Sequence, residues 1–511
     1  MQGSFYQRLE RSFSRRPEKI AIEDVEGGGA WRFADLLEAS GRFAHALAEA
    51  GARSGDRVAV QVEKSPQALV TYLACLRAGY VFLPLNPAYT ADEVGYMLGD
   101  AEPAVFVCDP ARIQELEPVA KAARVPRLLT LDAQGCGTLT EAAAGAPSDF
   151  PTPVLAPEAY AAMLYTSGTT GRPKGAPLTH GNLASNAEVL VRAWGFTDDD
   201  VLLHALPIYH AHGLFVACHC ALLAGASMLW LAKFDAARVI ALMPRATVFM
   251  GVPTYYVRLL DRPEFGPECC PRMRLFISGS APLSPELWRA FKARTGHEIL
   301  ERYGMSEILM HTGNPLAGER RPGTVGRPFP GSQVRIVDGR GRELAPGKVG
   351  EVLVRGPNVF PGYWRRPEQN REAFTEDGWF RTGDVGFLSE DGYLTLVGRA
   401  KDVVISGGLN VYPKEIEDVL DALPGVRESA VIGLPHPDFG EAVTAVVVPE
   451  PGARLEEREI LRALRKCLAG FKLPKRVLFV PELPRNAMGK VQKRLLRERF
   501  RHLFLPAEKA R

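Results

Sequence analysis

The chain alternates short apolar runs with amphipathic stretches from residue 56 onward, and this alternation restricts the folds that it can adopt. Val58–Gln61, Val81–Leu85 and Ala104–Cys108 are apolar runs of strand length, and helical patterns over Pro66–Ala78 and Thr90–Leu98 separate them. Apolar strands joined by helices predict parallel β-α-β units, in which helices cover both faces of the sheet. The predicted fold class is therefore α/β.

A second alternating region begins near residue 200. The apolar runs at the start of Val201–Leu206, Ala246–Tyr256 and Arg274–Ser278 each lead into a turn with polar or aromatic residues. Ligands of open α/β sheets bind outside the carboxyl ends of the strands. We therefore expect these three turns to face one crevice.

The residue pattern changes from about Gly323, where Gly and Pro residues separate runs of alternating polarity such as Val334–Val337 and Glu351–Arg355. This pattern predicts an antiparallel β subdomain. The segment after Gly398 has strand and helix patterns of its own. We predict an N-terminal domain at 1–398, with two β-α-β subdomains and a β subdomain, and a small α+β C-terminal domain at 399–511.

Composition excludes several classes of protein. The 511 residues, 46% of them hydrophobic, are enough for two or more domains. A net charge of +3 against 62 basic and 59 acidic residues gives no reason to expect nucleic acid or membrane binding. The eight cysteines are scattered without a C-x-x-C pair, which predicts free thiols in the cytoplasm. No apolar run is long enough to span a membrane, and a mitochondrial leader is disfavoured by Glu10 among the N-terminal arginines.

The stretch Tyr165–Gly175 reads Y-T-S-G-T-T-G-R-P-K-G and follows an apolar run. Backbone N–H groups and hydroxyls at the end of a strand can surround a polyphosphate, so the stretch is typical of a phosphate loop. It is not a Walker A loop, because Lys174 is preceded by Pro173 and followed by a glycine, where that motif needs a hydroxyl.

The stretch resembles the phosphate-binding signature of the adenylate-forming enzymes, which include acyl-CoA synthetases, the adenylation domains of peptide synthetases and the luciferases. Further motifs follow in the order of that family, namely E-R-Y-G-M-S-E, R-T-G-D, G-R-A-K-D and P-R-N-A-M-G-K. The resemblance implies that a carboxylate attacks the α-phosphate of ATP to give an acyl adenylate and pyrophosphate. A thiol, expected to be that of coenzyme A, then attacks the acyl carbonyl. ATP, Mg²⁺ and coenzyme A are the implied small molecules.

The resemblance also implies a role for individual residues. Lys490 would contact the carboxylate and the α-phosphate, Glu307 and Thr166 would hold the metal, and Asp384 and Arg399 would bind the ribose. The remaining residues of the implied ATP site are Ser167, Gly168, Thr169, Thr170, Gly171, Lys174, Gly279, Ser280, Ala281, Pro282, Glu301, Tyr303, Gly304 and Ser306. For the second step the implied residues are Lys401 at a hinge and Ser406, Gly407 and Gly408 in a loop that approaches coenzyme A.

Within the family the chain looks most like the malonyl-CoA synthetases. L-P-I-Y-H-A-H-G-L, G-V-P-T-Y-Y-V-R and G-P-N-V-F-P-G-Y-W all resemble that branch. The branch implies that Arg258 and Arg302 hold the distal carboxylate of a dicarboxylic acid, and an arginine fork does this with two parallel hydrogen bonds. His210, His212 and Met310 would line the acyl site, with His210 also catalytic. Departures at Ile308, His311 and Gly313 leave malonate and methylmalonate open.

Other interpretations remain at this stage. The acid could be a short- to medium-chain or fatty monocarboxylic acid, the acceptor could be a carrier-protein pantetheine, and a P-loop NTPase would instead release ADP and phosphate. The basic segment Arg454–Arg511 could bind nucleic acid, but acidic residues interrupt it. The pair His210 and His212 lacks a third ligand at a zinc-like distance, so no zinc site is predicted. A monomer or weak homodimer is expected.

Overall fold

The computed structural model describes residues 4–166, 173–406, 409–437, 439–486 and 489–504. Its strands are β1 Ile20–Asp24, β2 Ala30–Arg32, β3 Arg57–Gln61, β4 Val81–Pro84, β5 Val105–Cys108, β6 Arg127–Thr130, β7 Tyr160–Thr166, β8 Lys174–Thr179, β9 Val201–His204, β10 Ser227–Trp230, β11 Val248–Gly251, β12 Leu275–Ser278, β13 Ile299–Met305, β14 Leu309–Gly313, β15 Arg327–Pro328, β16 Gln333–Val337, β17 Gly350–Arg355, β18 Phe380–Leu388, β19 Leu394–Arg399, β20 Val404–Ser406, β21 Leu409–Val411, β22 Val426–His436, β23 Gly440–Pro449 and β24 Arg476–Phe479. Its α-helices are α1 Phe5–Phe13, α2 Phe33–Glu49, α3 Pro66–Ala78, α4 Ala91–Ala101, α5 Ile113–Ala122, α6 Thr138–Ala144, α7 His180–Ala193, α8 His219–Ala224, α9 Ala236–Leu242, α10 Pro253–Leu260, α11 Pro285–Thr295, α12 Pro367–Ala373, α13 Pro413–Asp421, α14 Glu457–Leu464 and α15 Lys493–Phe500.

Two large sheets form the first part of the molecule. One has six strands in the order β6-β5-β3-β4-β7-β8, and the other has nine in the order β15-β14-β13-β12-β11-β9-β10-β1-β2. The inner strands of both sheets are parallel, whereas β8, β2, β14 and β15 join antiparallel at the edges. This arrangement confirms the predicted α/β class with two β-α-β subdomains.

The two large sheets share one core through α3, which is buried along nearly its whole length. Tyr72 on this helix contacts Phe82 of the six-stranded sheet, with ring centroids 5.0 Å apart, and Phe215 beside the nine-stranded sheet at 5.8 Å. One buried helix thus packs against both sheets.

The N-terminal segment forms α1, a helix that the sequence analysis did not predict. Gln7 donates its backbone N–H to the Ser4 hydroxyl at 3.4 Å, and the Gln7 side chain accepts the Ser4 N–H at 3.0 Å. This reciprocal cap is a signature of a helix start, and Phe5, Leu9 and Phe13 are then fully buried. The apolar residues of this segment therefore lie on one buried face of α1.

Two smaller sheets follow along the chain. The first has four antiparallel strands, β16-β17-β18-β19, as predicted for the β subdomain, and the second contains β20 to β24. The chain passes between them at Ala400–Asp402, a single 3₁₀ turn after Arg399. The predicted domain boundary between residues 398 and 399 lies directly before this turn. It remains a prediction.

Candidate active site

The predicted crevice lies at the carboxyl ends of the parallel strands. β9, β11, β12 and β13 are neighbours in one sheet, so the turns that follow them emerge at the same edge. Thr166, at the end of β7 in the other large sheet, donates its hydroxyl to Oε1 of Glu307 at 3.3 Å. The crevice is therefore formed between the two sheets.

Glu307 follows β13 and is 3% exposed. Its Oε1 also accepts the Tyr363 hydroxyl at 2.9 Å, and the ammonium of Lys174 lies 4.7 Å from the Tyr363 ring centroid. Burial raises the pKa of Glu307, although its hydrogen bonds and Arg399 favour the anion. Within the described part of the chain no lysine or arginine forms an ion pair with this carboxylate. One buried carboxylate with a neighbouring hydroxyl suits Mg²⁺, which is bound through few carboxylates together with phosphate oxygens.

Asp384 and Arg399 face each other across β18 and β19. Nε of Arg399 lies 2.8 Å from Oδ1 of Asp384, and the Tyr303 hydroxyl donates to Oδ2 at 2.5 Å. Burial opposes the charge on Arg399, but Asp384 and Tyr303 outweigh it and raise the pKa of the guanidinium. The buried carboxylate is thus held in place with acceptor capacity left for a diol.

The turn Gly279–Pro282 lies between β12 and α11, and Ser280 there adopts a φ of +70°, which is uncommon outside glycine. Beside it, Oε1 of Glu301 accepts the backbone N–H of Leu283 at 3.1 Å, whereas Oε2 is buried without a partner among the described residues. Burial raises the pKa of Glu301 to about 8, so the carboxyl group is neutral at pH 7. A neutral buried carboxyl can both donate to and accept from a polar ring edge.

Arg302 is a buried cation of the crevice with hydrogen-bond donors that find no partner in the described part of the chain. It is 3% exposed, and its Nε and Nη2 have no hydrogen-bond partner among the described residues. Burial lowers its pKa to about 9. The guanidinium fills the space beside Gly279, where a Cβ would lie 2.3 Å from Cζ. Burying a cation whose N–H donors are unpaired costs free energy unless an anion binds to it.

The two predicted histidines lie against this cation. Burial, together with Arg302 and Lys490, lowers the pKa of His210 to about 4, and burial and Arg302 lower the pKa of His212 well below its ordinary value. Nδ1 of His212 is 3.3 Å from the Ser280 hydroxyl, and its Nε2 is buried without a partner in the described chain. Both imidazoles are therefore neutral, and no group of three or more potential metal ligands occurs among the described residues.

The C-terminal domain contributes Lys490 to the same crevice. Lys490 is an exposed residue, but desolvation by the surrounding protein lowers its pKa, Arg399 lowers it further, and Asp384 opposes both. A cleft of about 180 Å³ adjoins the lysine and is lined by Thr254, Arg258 and Gly489 among others. Arg258 is an exposed residue at this cleft, in contrast to the buried Arg302.

Several other predicted residues are placed by packing. Met310 is buried with its Cε against Gly304, where an added Cβ would lie 2.5 Å from it. Ser306 is partly buried, Ser406 is buried at the end of β20, and burial lowers the pKa of Lys401. The predicted loop residues Ser167, Gly168, Thr169, Thr170, Gly171, Gly407 and Gly408 lie outside the described residues.

Sequence reasoning missed residues that hold the site in shape. Tyr363 binds Glu307, and Nδ2 of Asn186 donates to the carbonyl of Met310 at 2.7 Å. Lys64 is buried and donates to the carbonyl of Leu231 and to Nδ1 of His204, whose Nε2 lies 3.0 Å from the carbonyl of Gly213. Tyr363 lies in the motif G-P-N-V-F-P-G-Y-W, which was available as a signal but had no role attached to it.

Comparison with known proteins agrees with this geometry. The family model described as AMP-binding enzyme matches residues 9–364, and the model for the AMP-binding enzyme C-terminal domain matches residues 415–490. Feruloyl-CoA synthase from an Amycolatopsis species is 38% identical, covering 95% of this chain and 96% of its own. Human malonate–CoA ligase ACSF3, mitochondrial, is 37% identical, covering 94% and 90%. ATP-bound MatB from Rhodopseudomonas palustris is a solved structure with 52% identity and a TM-score of 0.96, covering 99% of this chain and all of that one.

The matching family models cover the two large sheets and the segment that ends with Lys490, whereas Asp384 and Arg399 lie between the two matches. In the described part of the chain no helix is long and apolar enough to cross a membrane. The chain belongs to the AMP-binding enzyme family.

Proposed function

We propose that this protein ligates malonate to coenzyme A at the expense of ATP, through malonyl-AMP, with release of AMP and pyrophosphate. Methylmalonate, which differs by one methyl group, is the second acid expected to fit. The observation that carries the proposal is Arg302, a buried guanidinium with two nitrogens that lack a partner among the described residues. A carboxylate distal to the reacting one would complete it with a bidentate pair.

In this proposal the acid lies between Arg302 and Lys490. The neutral His210 and His212 offer hydrogen bonds to the carboxylates without taking up their charge, because their lowered pKa values keep both rings neutral. Arg258, at the mouth of the cleft, adds a second positive charge for a diacid. Met310 and Gly304 form the apolar floor.

ATP would bind across the crevice. Asp384 and Arg399 would hold the ribose, the turn Gly279–Pro282 and Glu301 would hold the purine, and the segment after Thr166, which lies outside the described residues, would bind the phosphates. The unpartnered Oε2 of Glu301 supports the purine assignment, since a ligand edge would satisfy it. Glu307 and Thr166 would hold Mg²⁺, which when bound neutralises charge on the phosphate oxygens.

In the first step a carboxylate oxygen of the acid forms a bond to the α-phosphorus, and the bond from that phosphorus to pyrophosphate breaks. Two anions approach each other in this step, so fixed positive charge supplies much of the stabilisation. Lys490 places its ammonium between them. Its lowered pKa reflects partial desolvation, which strengthens its electrostatic contribution.

In the second step the sulfur of coenzyme A attacks the acyl carbonyl, and AMP leaves. We infer that the C-terminal domain, residues 399–511, turns about Lys401 and brings the strand end at Ser406, with the loop after it, toward coenzyme A.

The eight cysteines are free thiols, which supports a cytoplasmic location.

A monocarboxylic acid is the second candidate, supported by the feruloyl-CoA synthase among the relatives. Ferulate has a single carboxylate, the one that reacts, so it would leave Arg302 buried without a counter-charge, and for this reason we favour the diacid.

The test measures AMP and pyrophosphate formed from ATP and MgCl₂ with a panel of acids, namely malonate, methylmalonate, succinate, acetate, octanoate and ferulate. Malonate should give the highest kcat/KM, with thioester formed only when coenzyme A is added. Release of ADP and phosphate, or a panel led by octanoate or ferulate, would contradict the proposal.

A further inference from the structure

The turn that presents Lys490 is closed by its own backbone and by one side chain. The N–H of Asn486 donates to the carbonyl of Lys490 at 3.0 Å, and the N–H of Gly489 donates to the carbonyl of Asn486 at 2.9 Å. The N–H of Lys490 donates to Oδ1 of Asn486 at 2.9 Å. Residues 485 and 491 pair as an isolated antiparallel bridge at the base of the turn. The direction of the Lys490 side chain therefore depends on how this turn is anchored.

Arg485 anchors the turn to the sheet of the C-terminal domain. One end of its guanidinium donates from Nη1 to the carbonyl of Gly489, and Nη2 forms an ion pair with Glu428. Glu428 belongs to β22 and pairs with Val448 of β23, next to an irregularity of the register between Val426 and Glu428. The side chains of Arg485 and Glu428 are 30% and 28% exposed, so solvent partly screens this pair.

The opposite side of the turn lies against the N-terminal domain. Gly489 has a φ of +72°, and a Cβ there would lie 3.0 Å from the Thr254 hydroxyl at the start of α10. The residue next to Glu428, Arg427, lies 3.8 Å from Asp261 at the end of the same helix. The start of β22 thus contacts both the catalytic turn and the domain that holds the substrates.

We propose that Glu428 is a positioning residue for the adenylation step, acting through Arg485 on the turn that carries Lys490. The inference rests on the proposed function. Glu428 touches neither Lys490 nor the crevice, and its carboxylate orients the Arg485 guanidinium so that Nη1 caps the Gly489 carbonyl. Because Lys490 is assigned to the first step alone, loss of Glu428 affects that step alone.

The experiment measures the two steps separately in Glu428→Ala. Adenylation is followed by malonate-dependent exchange of pyrophosphate into ATP, and the second step by single turnover of preformed malonyl-AMP with coenzyme A. The adenylation rate constant should fall about tenfold with the KM for ATP unchanged, and the second step should stay within about twofold. Glu428→Gln, which keeps an acceptor for Arg485, should recover part of the loss.

The matched control is Glu498→Ala, which removes an exposed ion pair with Arg494 in the same domain, 2.6 Å long, that does not touch the turn. Both steps should be unchanged in this variant. Equal losses in both steps for Glu428→Ala, or an unaltered adenylation rate, would overturn the inference. If the wild-type protein exchanges no pyrophosphate with malonate but does so with another acid, the proposed substrate is wrong, and the comparison of variants is made with that acid.

Discussion

Gly279 offers a way to displace Arg302 without deleting it. A Cβ at residue 279 would lie 2.3 Å from Cζ and Nη1 of Arg302, and 2.6 Å from Nε. Ordinary contact with a Cβ begins at 3.4 Å, so the guanidinium must withdraw by about 1 Å in Gly279→Ala. The φ of Gly279 is not in the left-handed region, so alanine fits the backbone at this position.

A misplacement of about 1 Å in a binding group costs roughly 100-fold in rate, or about 2.7 kcal/mol of transition-state stabilisation. We therefore expect kcat/KM for malonate to fall about 100-fold in Gly279→Ala. Acetate has no distal carboxylate for Arg302 to hold, so its kcat/KM should change by less than about threefold. Pyrophosphate release with each acid, at saturating ATP, gives both values.

The control is Gly99→Ala. Gly99 is an exposed glycine of α4, and a Cβ there would have no atom within 4 Å. This variant should match the wild type with both acids. If Gly279→Ala loses malonate and acetate activity equally, the added methyl group disturbs the ATP site instead, and the reasoning about Arg302 is refuted.

Three further predictions follow from the other groups of the crevice. Glu307→Gln should lower the adenylation rate and raise the MgCl₂ concentration needed for half-maximal pyrophosphate release, because a buried carboxylate is lost; an unchanged MgCl₂ titration would exclude Glu307 as a metal ligand. Burial raises the pKa of Glu301 from its ordinary value of 4.5 to about 8. Between these pH values the folded protein keeps a proton that the unfolded chain releases. The free energy of unfolding therefore falls as pH rises from 4.5 to 8. Glu301→Gln should therefore gain in Tm over the wild type as pH rises from 5 to 8, and thermal melts with an equal difference at both values would contradict this. Lys490→Ala should lose adenylation while still converting preformed malonyl-AMP to the thioester, and parallel loss in both assays would remove Lys490 from its assigned step.

The α/β architecture could be predicted because apolar strands such as Val58–Gln61 and Val105–Cys108 are buried on both faces and read as continuous apolar runs. Helix α4 could be predicted from its Thr90 cap, which the structure retains with the Thr90 N–H donating to Glu93 at 2.8 Å. Helix α1 was not predicted because charged residues separate the apolar residues of its short buried face. The capping signature at Ser4 and Gln7 was not used.

The pair Asp384 and Arg399 shows which features a sequence motif can predict and which it cannot. The motifs R-T-G-D and G-R-A-K-D pointed to Asp384 and Arg399 as site residues. The contact between the two side chains, however, depends on the register of β18 against β19. That register includes an irregularity between Val385 and Gly386, which no local pattern in the chain indicates.

The two predicted arginines differ in a way that only packing determines. Arg302 lies on a strand whose neighbours bury it, whereas Arg258 lies on α10 at an exposed edge of the cleft. The histidine segment likewise continues into a π-helix, His212–Cys218, in which Gly213 lies so close to Pro207 that a Cβ would be 2.0 Å from that residue's carbonyl oxygen. π-Helices are rare and occur mostly as single turns within α-helices, so nothing in the sequence indicated one here.

The central claim, that a buried arginine selects a dicarboxylic acid, is tested most directly by pyrophosphate release with malonate and with acetate in the wild type and in Arg302→Ala. Malonate should lead in the wild type, and Arg302→Ala should lower its kcat/KM by about 2–5 kcal/mol, roughly 30-fold to several thousand-fold, while acetate changes little. If acetate leads in the wild type, or if Arg302→Ala lowers both acids by the same factor, the selection of a diacid by Arg302 is contradicted.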